Sequence, residues 1–176
     1  LFRSGLGTRN LCYNPSGDKL YCVSELSGSL AVIDPAADTV LTTVAHAGWD
    51  NALCYDSRHN KVYCVGDSAR VLVMDAPAAA VLDRIDVGIW PAEFEYNAEN
   101  DKVYARLGYP TKGIAVIDAA ADTIRTRLDL GMVGMQCFSP VHNSMYFGCW
   151  DSGYLAVVDG ASDSLLATVR IPSPGL

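Results

Sequence analysis

One unit of about 41–42 residues is written four times along this chain, and that repetition limits the fold more than any other property. Tyr21, Tyr63, Tyr104 and Tyr146 recur at steps of 42, 41 and 42 residues, and Asp34, Asp75, Asp118 and Asp159 at steps of 41, 43 and 41. Two landmarks held in step across four copies are not a product of chance. The first copy runs Leu11-Cys12-Tyr13-Asn14-Pro15, Lys19-Leu20-Tyr21-Cys22-Val23, Leu30-Ala31-Val32-Ile33-Asp34 and Thr39-Val40-Leu41-Thr42-Thr43-Val44.

Every copy therefore holds four short runs rich in Val, Ile, Leu and Tyr, separated by Pro, Gly, Asn, Asp and Ser. That punctuation predicts short antiparallel strands. Asn14-Pro15-Ser16-Gly17-Asp18 and Asp34-Pro35-Ala36-Ala37-Asp38 read as turns, with the Asp at the head of the second accepting backbone N–H groups two and three residues on. The third run is apolar on both faces, as suits a strand covered on both sides. The fourth alternates: Val40, Val44 and their counterparts Val81, Ile85, Ile124, Leu128, Leu165 and Val169 are expected to point one way. Charges such as Arg84, Arg125 and Arg127 are expected on the other side, as on a protected sheet edge.

A four-stranded antiparallel unit of this length, repeated, is the signature of a β-propeller blade, whose two faces are covered only by its neighbours. The expected fold is all-β, with four blades spanning approximately 10–48, 51–88, 91–131 and 135–172 of one domain, 1–176. Leu11-Cys12-Tyr13-Asn14-Pro15, Lys61-Val62-Tyr63-Cys64-Val65 and Ala115-Val116-Ile117-Asp118 resemble the YVTN-repeat propellers of bacterial and archaeal surface and periplasmic proteins. The resemblance runs from Leu11 to Ile171, although the Thr-Asn that follows Tyr-Val in that family is replaced in all four copies. It implies an extracellular, cell-surface or periplasmic location.

Propellers have 4–8 blades. Four copies leave three arrangements: a tight four-bladed ring, part of a longer polypeptide, or half of an eight-bladed ring closed by a second chain. Leu1-Phe2-Arg3-Ser4-Gly5 aligns with the end of a fourth strand and reads as the stub of a preceding blade, and the tail Pro172-Ser173-Pro174-Gly175 as an inter-blade linker. An open stack would expose apolar faces, and closed symmetric assemblies are the default remedy, so a homodimer is the favoured expectation.

Composition removes other classes. Thirteen basic against twenty acidic residues leave a net charge of −7, which argues against a nucleic-acid partner. No stretch approaches the roughly 18 apolar residues of a membrane span. The six cysteines form no Cys-x-x-Cys pair: Cys12, Cys54 and Cys137 occupy one repeat position, with Glu95 as the fourth member, and Cys22 and Cys64 another. Reduced core thiols are the expected state, with cross-strand disulfides Cys12–Cys22 and Cys54–Cys64 as the alternative. A soft metal on the axis, held by Cys12, Cys54, Glu95 and Cys137, is a remoter one. His46, His59 and His142 form no cluster in the sequence, and the recurrent aspartates read as turn caps. No metal, cofactor or catalytic residue is expected.

What breaks the repeat points to a binding face. Second-to-third-strand loops and inter-blade linkers fall on one side of the disc, and all three tryptophans lie in them: Trp49, Trp90 and Trp150. Asp50, Arg106, Tyr109 and Asp151 are near them in sequence, and the longest loop, Leu107-Gly108-Tyr109-Pro110-Thr111-Lys112-Gly113, belongs to the third copy. Aromatics on a polar rim suit a peptide, protein or glycan ligand, and wedging of Trp49 and Trp90 between blades is the competing reading. The expected role is a non-enzymatic binding or scaffold module. The alternatives are a lactonase- or cycloisomerase-like enzyme using Glu95 and Arg106, or a structural spacer.

Overall fold

The computed structural model describes residues 7–45, 52–67, 69–109 and 112–172. They form sixteen strands in four separate antiparallel sheets, each a meander in chain order, with no helix. The first sheet is β1 (Thr8–Asn14), β2 (Lys19–Ser24), β3 (Ser29–Asp34) and β4 (Thr39–Ala45). The second is β5 (Leu53–Asp56), β6 (Lys61–Val65), β7 (Arg70–Asp75) and β8 (Ala80–Asp86). The third is β9 (Pro91–Asn97), β10 (Lys102–Leu107), β11 (Ile114–Asp118) and β12 (Thr123–Leu128). The fourth is β13 (Val133–Ser139), β14 (Ser144–Cys149), β15 (Tyr154–Asp159) and β16 (Leu165–Arg170).

First strands of successive sheets lie side by side, β1 against β5, β5 against β9 and β9 against β13, so they form the inner edge and the fourth strands the outer one. The core is divided between the sheets. Tyr21, Val23, Leu30 and Val32 of the first pack on Val62, Cys64, Leu72 and Met74 of the second. Tyr63, Val71 and Val73 pack on Val103, Ala105, Ala115 and Ile117 of the third. Tyr104, Ile114 and Val116 pack on Met145, Phe147, Ala156 and Val158 of the fourth. The middles of strands β3, β7 and β11 serve two clusters at once, which is why they are apolar on both faces.

Fourth strands depart from the expected alternation. Each carries a β-bulge: Leu41, Leu82, Arg125 and Leu166 have no partner on the third strand, because the register skips them. An extra residue reverses the face of everything beyond it. Val44 therefore packs towards the second sheet while Val40 turns to the opposite face with Ile33. Val81 and Ile85 are split in the same way, as are Ile124 and Leu128. The skipped side chains stand in solvent on the outer edge, Leu41, Leu82 and Leu166 each more than half exposed.

Adjacent sheets are pinned at their turns. The Lys61 ammonium donates to Asp122 Oδ2 at 2.6 Å and to the Ala119 carbonyl at 3.0 Å, and the Tyr63 hydroxyl donates to Asp122 Oδ1 at 2.6 Å. One junction later, Lys102 donates to Asp163 Oδ2 at 2.8 Å and Tyr104 to Asp163 Oδ1 at 2.7 Å. Lys19 and Tyr21 make the same reach but meet only the Pro77 and Ala76 carbonyls, each at 2.6 Å, since Ala79 stands where the other copies have Asp. Burial and the facing aspartate push the Tyr63 and Tyr104 phenols well above the usual range, so both remain donors.

The arrangement is an arc. Among the described residues no core cluster joins the fourth sheet to the first. Tyr146, Leu155 and Val157 are partly exposed, although their counterparts in the other three sheets (Tyr21, Tyr63 and Tyr104; Leu30, Val71 and Ile114; Val32, Val73 and Val116) are all 0–1% exposed.

Candidate functional site

The loop side of the arc gathers three of the residues picked out in the sequence. Arg106, Tyr109 and Trp150 line one cavity of about 350 Å³ between the third and fourth sheets, floored by Leu107, Met132, Val133 and Gly134. Local backbone bonds explain how they meet. The Leu107 N–H donates to the Gly113 carbonyl at 3.1 Å and the Gly108 N–H to the Trp90 carbonyl at 2.8 Å. That closes the loop and leaves Tyr109 at its tip, 81% exposed. Gly113 returns the chain at φ +101°, where any side chain would run into the Leu128 carbonyl. Across the cavity, the Trp150 N–H donates to the Met132 carbonyl at 2.8 Å, tying the linker before β13 to the β14–β15 loop. The indole stays 75% exposed.

The charges here are held rather than free. Arg106 Nε donates to Glu93 Oε2 at 3.2 Å across the β9–β10 pair. Asp151 Oδ2 accepts from the Met132 N–H and from Lys112, both at 3.3 Å. The Met132 N–H above all holds its carboxyl below the usual range; desolvation opposes it and Lys112 reinforces it. A cavity with an apolar floor, two exposed aromatics and a guanidinium can take a flat or aliphatic group beside a hydrogen-bond acceptor. Trp90 is half exposed and lies outside the cavity lining, its main chain bracing the loop. Trp49, Asp50 and His46 lie outside the described residues. Glu95 and Arg106 are not paired as the enzyme reading needs: Arg106 engages Glu93, and Glu95 sits opposite Tyr104.

Two of the cysteine alternatives are corrected. Cys12 pairs in register with Tyr21, not Cys22, and Cys54 with Tyr63, not Cys64, so each supposed disulfide has its members on opposite sheet faces. All six thiols are free. Burial pushes Cys12 and Cys64 up to about 12 and Cys54 well above its usual value, which makes them poor nucleophiles. Cys12 and Glu95 neighbour Cys54, but the ligand atoms of Cys12, Cys54, Glu95 and Cys137 do not come close enough together to share an ion. Among the described residues the group of His, Cys, Asp or Glu atoms close enough to share an ion is instead Asp56, His59 and Asp101, on the turn side of the arc. The first-to-second-strand turn placed His59 there, but its approach to the next sheet's Asp101 was not visible in the sequence.

Compared with solved structures, the chain superposes with a TM-score of 0.81 on Kuenenia stuttgartiensis hydrazine synthase, at 21% identity over 94% of this chain and 49% of that one. It superposes with a TM-score of 0.78 on the Myceliophteria thermophila Cps50 (Swd1) β-propeller domain, at 14% identity over 98% of this chain and 57% of that one. These are propeller blades. A third similarity, with a TM-score of 0.76 at 16% identity, is to dihydro-heme d1 dehydrogenase NirN in complex with DHE, over 93% of this chain and 38% of that one. The chain thus spans about half the length, or less, of propellers it matches. At these identities the likeness establishes the fold alone, and the propellers matched include both enzymes and a domain described only by its fold. The sequence matches no protein-family model and no curated protein. In propeller terms, the cavity opens on the loop-bearing face between blades 3 and 4, the first strands line the axis, and Asp56, His59 and Asp101 sit on the opposite face. No helix among the described residues is long and apolar enough to cross a membrane.

Proposed function

We propose that this chain is a non-enzymatic propeller binding module of the YVTN-repeat kind, belonging to a cell-surface, secreted or periplasmic protein. Its loop-bearing face takes a peptide, protein or glycan in the cavity between blades 3 and 4. The observation that carries this reading is the convergence of Tyr109, Trp150 and Arg106, from two blades, on one apolar-floored cavity. Exposed aromatics at such a place supply contact area at little entropic cost, and the guanidinium supplies direction. The location rests on the repeat resemblance.

A second copy of the chain completes the ring. The uncovered side of blade 4 presents Tyr146, Leu155 and Val157, the side that every earlier blade applies to its successor. The exposed Asp38 of blade 1 stands at the repeat position where Asp122 and Asp163 receive a tyrosine. Two chains give eight blades, within the range that propellers adopt.

Screening a glycan array and a peptide library, with tryptophan fluorescence titration of the hits, tests the binding reading. A ligand whose affinity falls about tenfold or more in Trp150→Ala and Tyr109→Ala is expected. Ligands indifferent to both substitutions would show that the cavity is not the site.

A further inference from the structure

The side of the propeller away from that cavity carries a repeated contact that is broken once. At the end of the first strand in blades 1 to 3 a side chain caps the following turn and faces the next blade. Asn14 Oδ1 accepts the Ser16 and Gly17 N–H groups while its Nδ2 donates to Asn60 Oδ1 of blade 2 at 3.0 Å. Asn97 Oδ1 accepts the Glu99 and Asn100 N–H groups while its Nδ2 donates to Asn143 Oδ1 of blade 4 at 3.3 Å. Between blades 2 and 3 both partners are aspartate. Asp56 Oδ1 caps the turn as usual, accepting the Arg58 and His59 N–H groups at 2.8 and 3.1 Å. Its Oδ2 takes the place of the donating amide and faces Asp101, which occupies the position of Asn60 and Asn143.

Two acceptors therefore meet where every other described junction has a donor and an acceptor. Asp56 is 0% exposed and its Oδ2 has no hydrogen-bond partner. Leaving a buried carboxylate oxygen unpaired is costly, and the cost is borne only where something else compensates it. The Tyr96 hydroxyl lies beside both acids and carries one proton, so while it donates to Asp101 Oδ1 at 3.1 Å it cannot also satisfy Asp56. His59 Nε2 lies 2.7 Å from Asp101 Oδ2, and ligand atoms of Asp56, His59 and Asp101 all fall within 4.8 Å of one another.

We propose that this junction binds a divalent first-row transition ion, held by the Asp56 and Asp101 carboxylates and the His59 imidazole. Two carboxylates and a neutral imidazole balance the charge of such an ion. One nitrogen and two oxygens are a donor set that zinc accepts at about 2.0–2.2 Å, with a further position left for water. When His59 carries its proton on Nδ1, the Nε2 lone pair is free for the metal, so a neutral ring need lose no proton on binding. The ion then does for the junction between blades 2 and 3 what an amide N–H does for its neighbours.

Zinc chloride titrated calorimetrically into the Cys137→Ser protein, which lacks the exposed thiol, tests this. A single equivalent should bind, with affinity reduced about tenfold or more by His59→Ala. Asp56→Asn restores the amide of the other junctions, so it should fold, melt higher than the metal-free parent and lose the zinc-dependent rise in melting temperature. The proposal is overturned if zinc does not bind the parent, or if zinc binding survives both substitutions unchanged.

Discussion

Glu95 shows how one residue registers its place in the arc of blades. It replaces a cysteine that three other blades keep on the inner strand, and burial pushes its carboxyl above the usual value. The Phe138 N–H of blade 4 pulls the other way, and nearby Glu93 adds to the rise. A folded-state pKa raised above the unfolded one means that the native chain holds this proton longer. The associated stability is fully present below about pH 4.5 and is lost as pH rises through the folded value. Glu95→Gln should therefore melt higher than the parent near neutrality and show a shallower decline from acid to neutral pH. Melting curves across that range check it, and parallel profiles would refute the assignment. The other six-cysteine chemistry is quieter, because burial disarms most thiols before oxidation or metal can use them.

At the scale of the element, the informative unit is the turn between third and fourth strands. Its fifth residue takes positive φ in every blade: 52° at Asp38, 54° at Ala79, 55° at Asp122 and 60° at Asp163. Asp tolerates that conformation better than Ala, and in two blades its carboxylate also receives a lysine and a tyrosine from the preceding blade. Blade 2 has lost both advantages. Ala79→Gly should recover the conformational part, up to about 1 kcal/mol, and Ala79→Asp should add a charged partner for Lys19 and Tyr21, for a total of about 1–2 kcal/mol. Urea unfolding separates the two, and equal stability of both variants would deny the carboxylate any role. The aspartate caps were legible in the sequence, since Asp heading a Pro/Ala/Gly-rich run has a local meaning. The Lys-x-Tyr reach to the next blade was not, because it spans 58–61 residues and no single repeat contains both ends. The bulge escaped for a related reason: four residues separate Val40 from Val44 whether or not the register skips Leu41, and only the partner strand reveals it.

For the whole molecule, repeat arithmetic was enough to give blade number and strand order, since period and strand content follow from local spacing. Closure was beyond it, because covering the last blade depends on a surface that the repeat does not encode. The candidate site was half legible: loop length and aromatic content marked Tyr109 and Trp150, while the cavity floor at Met132 and Val133 came only from the linker's pairing with the next blade. Ring closure by a second copy predicts a solution mass of twice 18.9 kDa. Leu155→Glu, which puts a charge on the uncovered side of blade 4, should return the chain to 18.9 kDa while leaving its strand signal in circular dichroism intact. Light scattering on a sizing column reads both; a parent already at the lower mass would remove the dimer.

The lysine and tyrosine ties all lie on one side of the disc, where the short turns are. On the other side, blades 3 and 4 meet through the half-exposed Lys112–Asp151 pair and main-chain bonds along a linker. Such an assembly resembles a hand fan riveted along one margin, with the shared apolar core alone filling the space between its ribs. A group entering between Tyr109 and Trp150 would therefore meet half-exposed and main-chain contacts, on the side away from the buried tie of Tyr104 to Asp163.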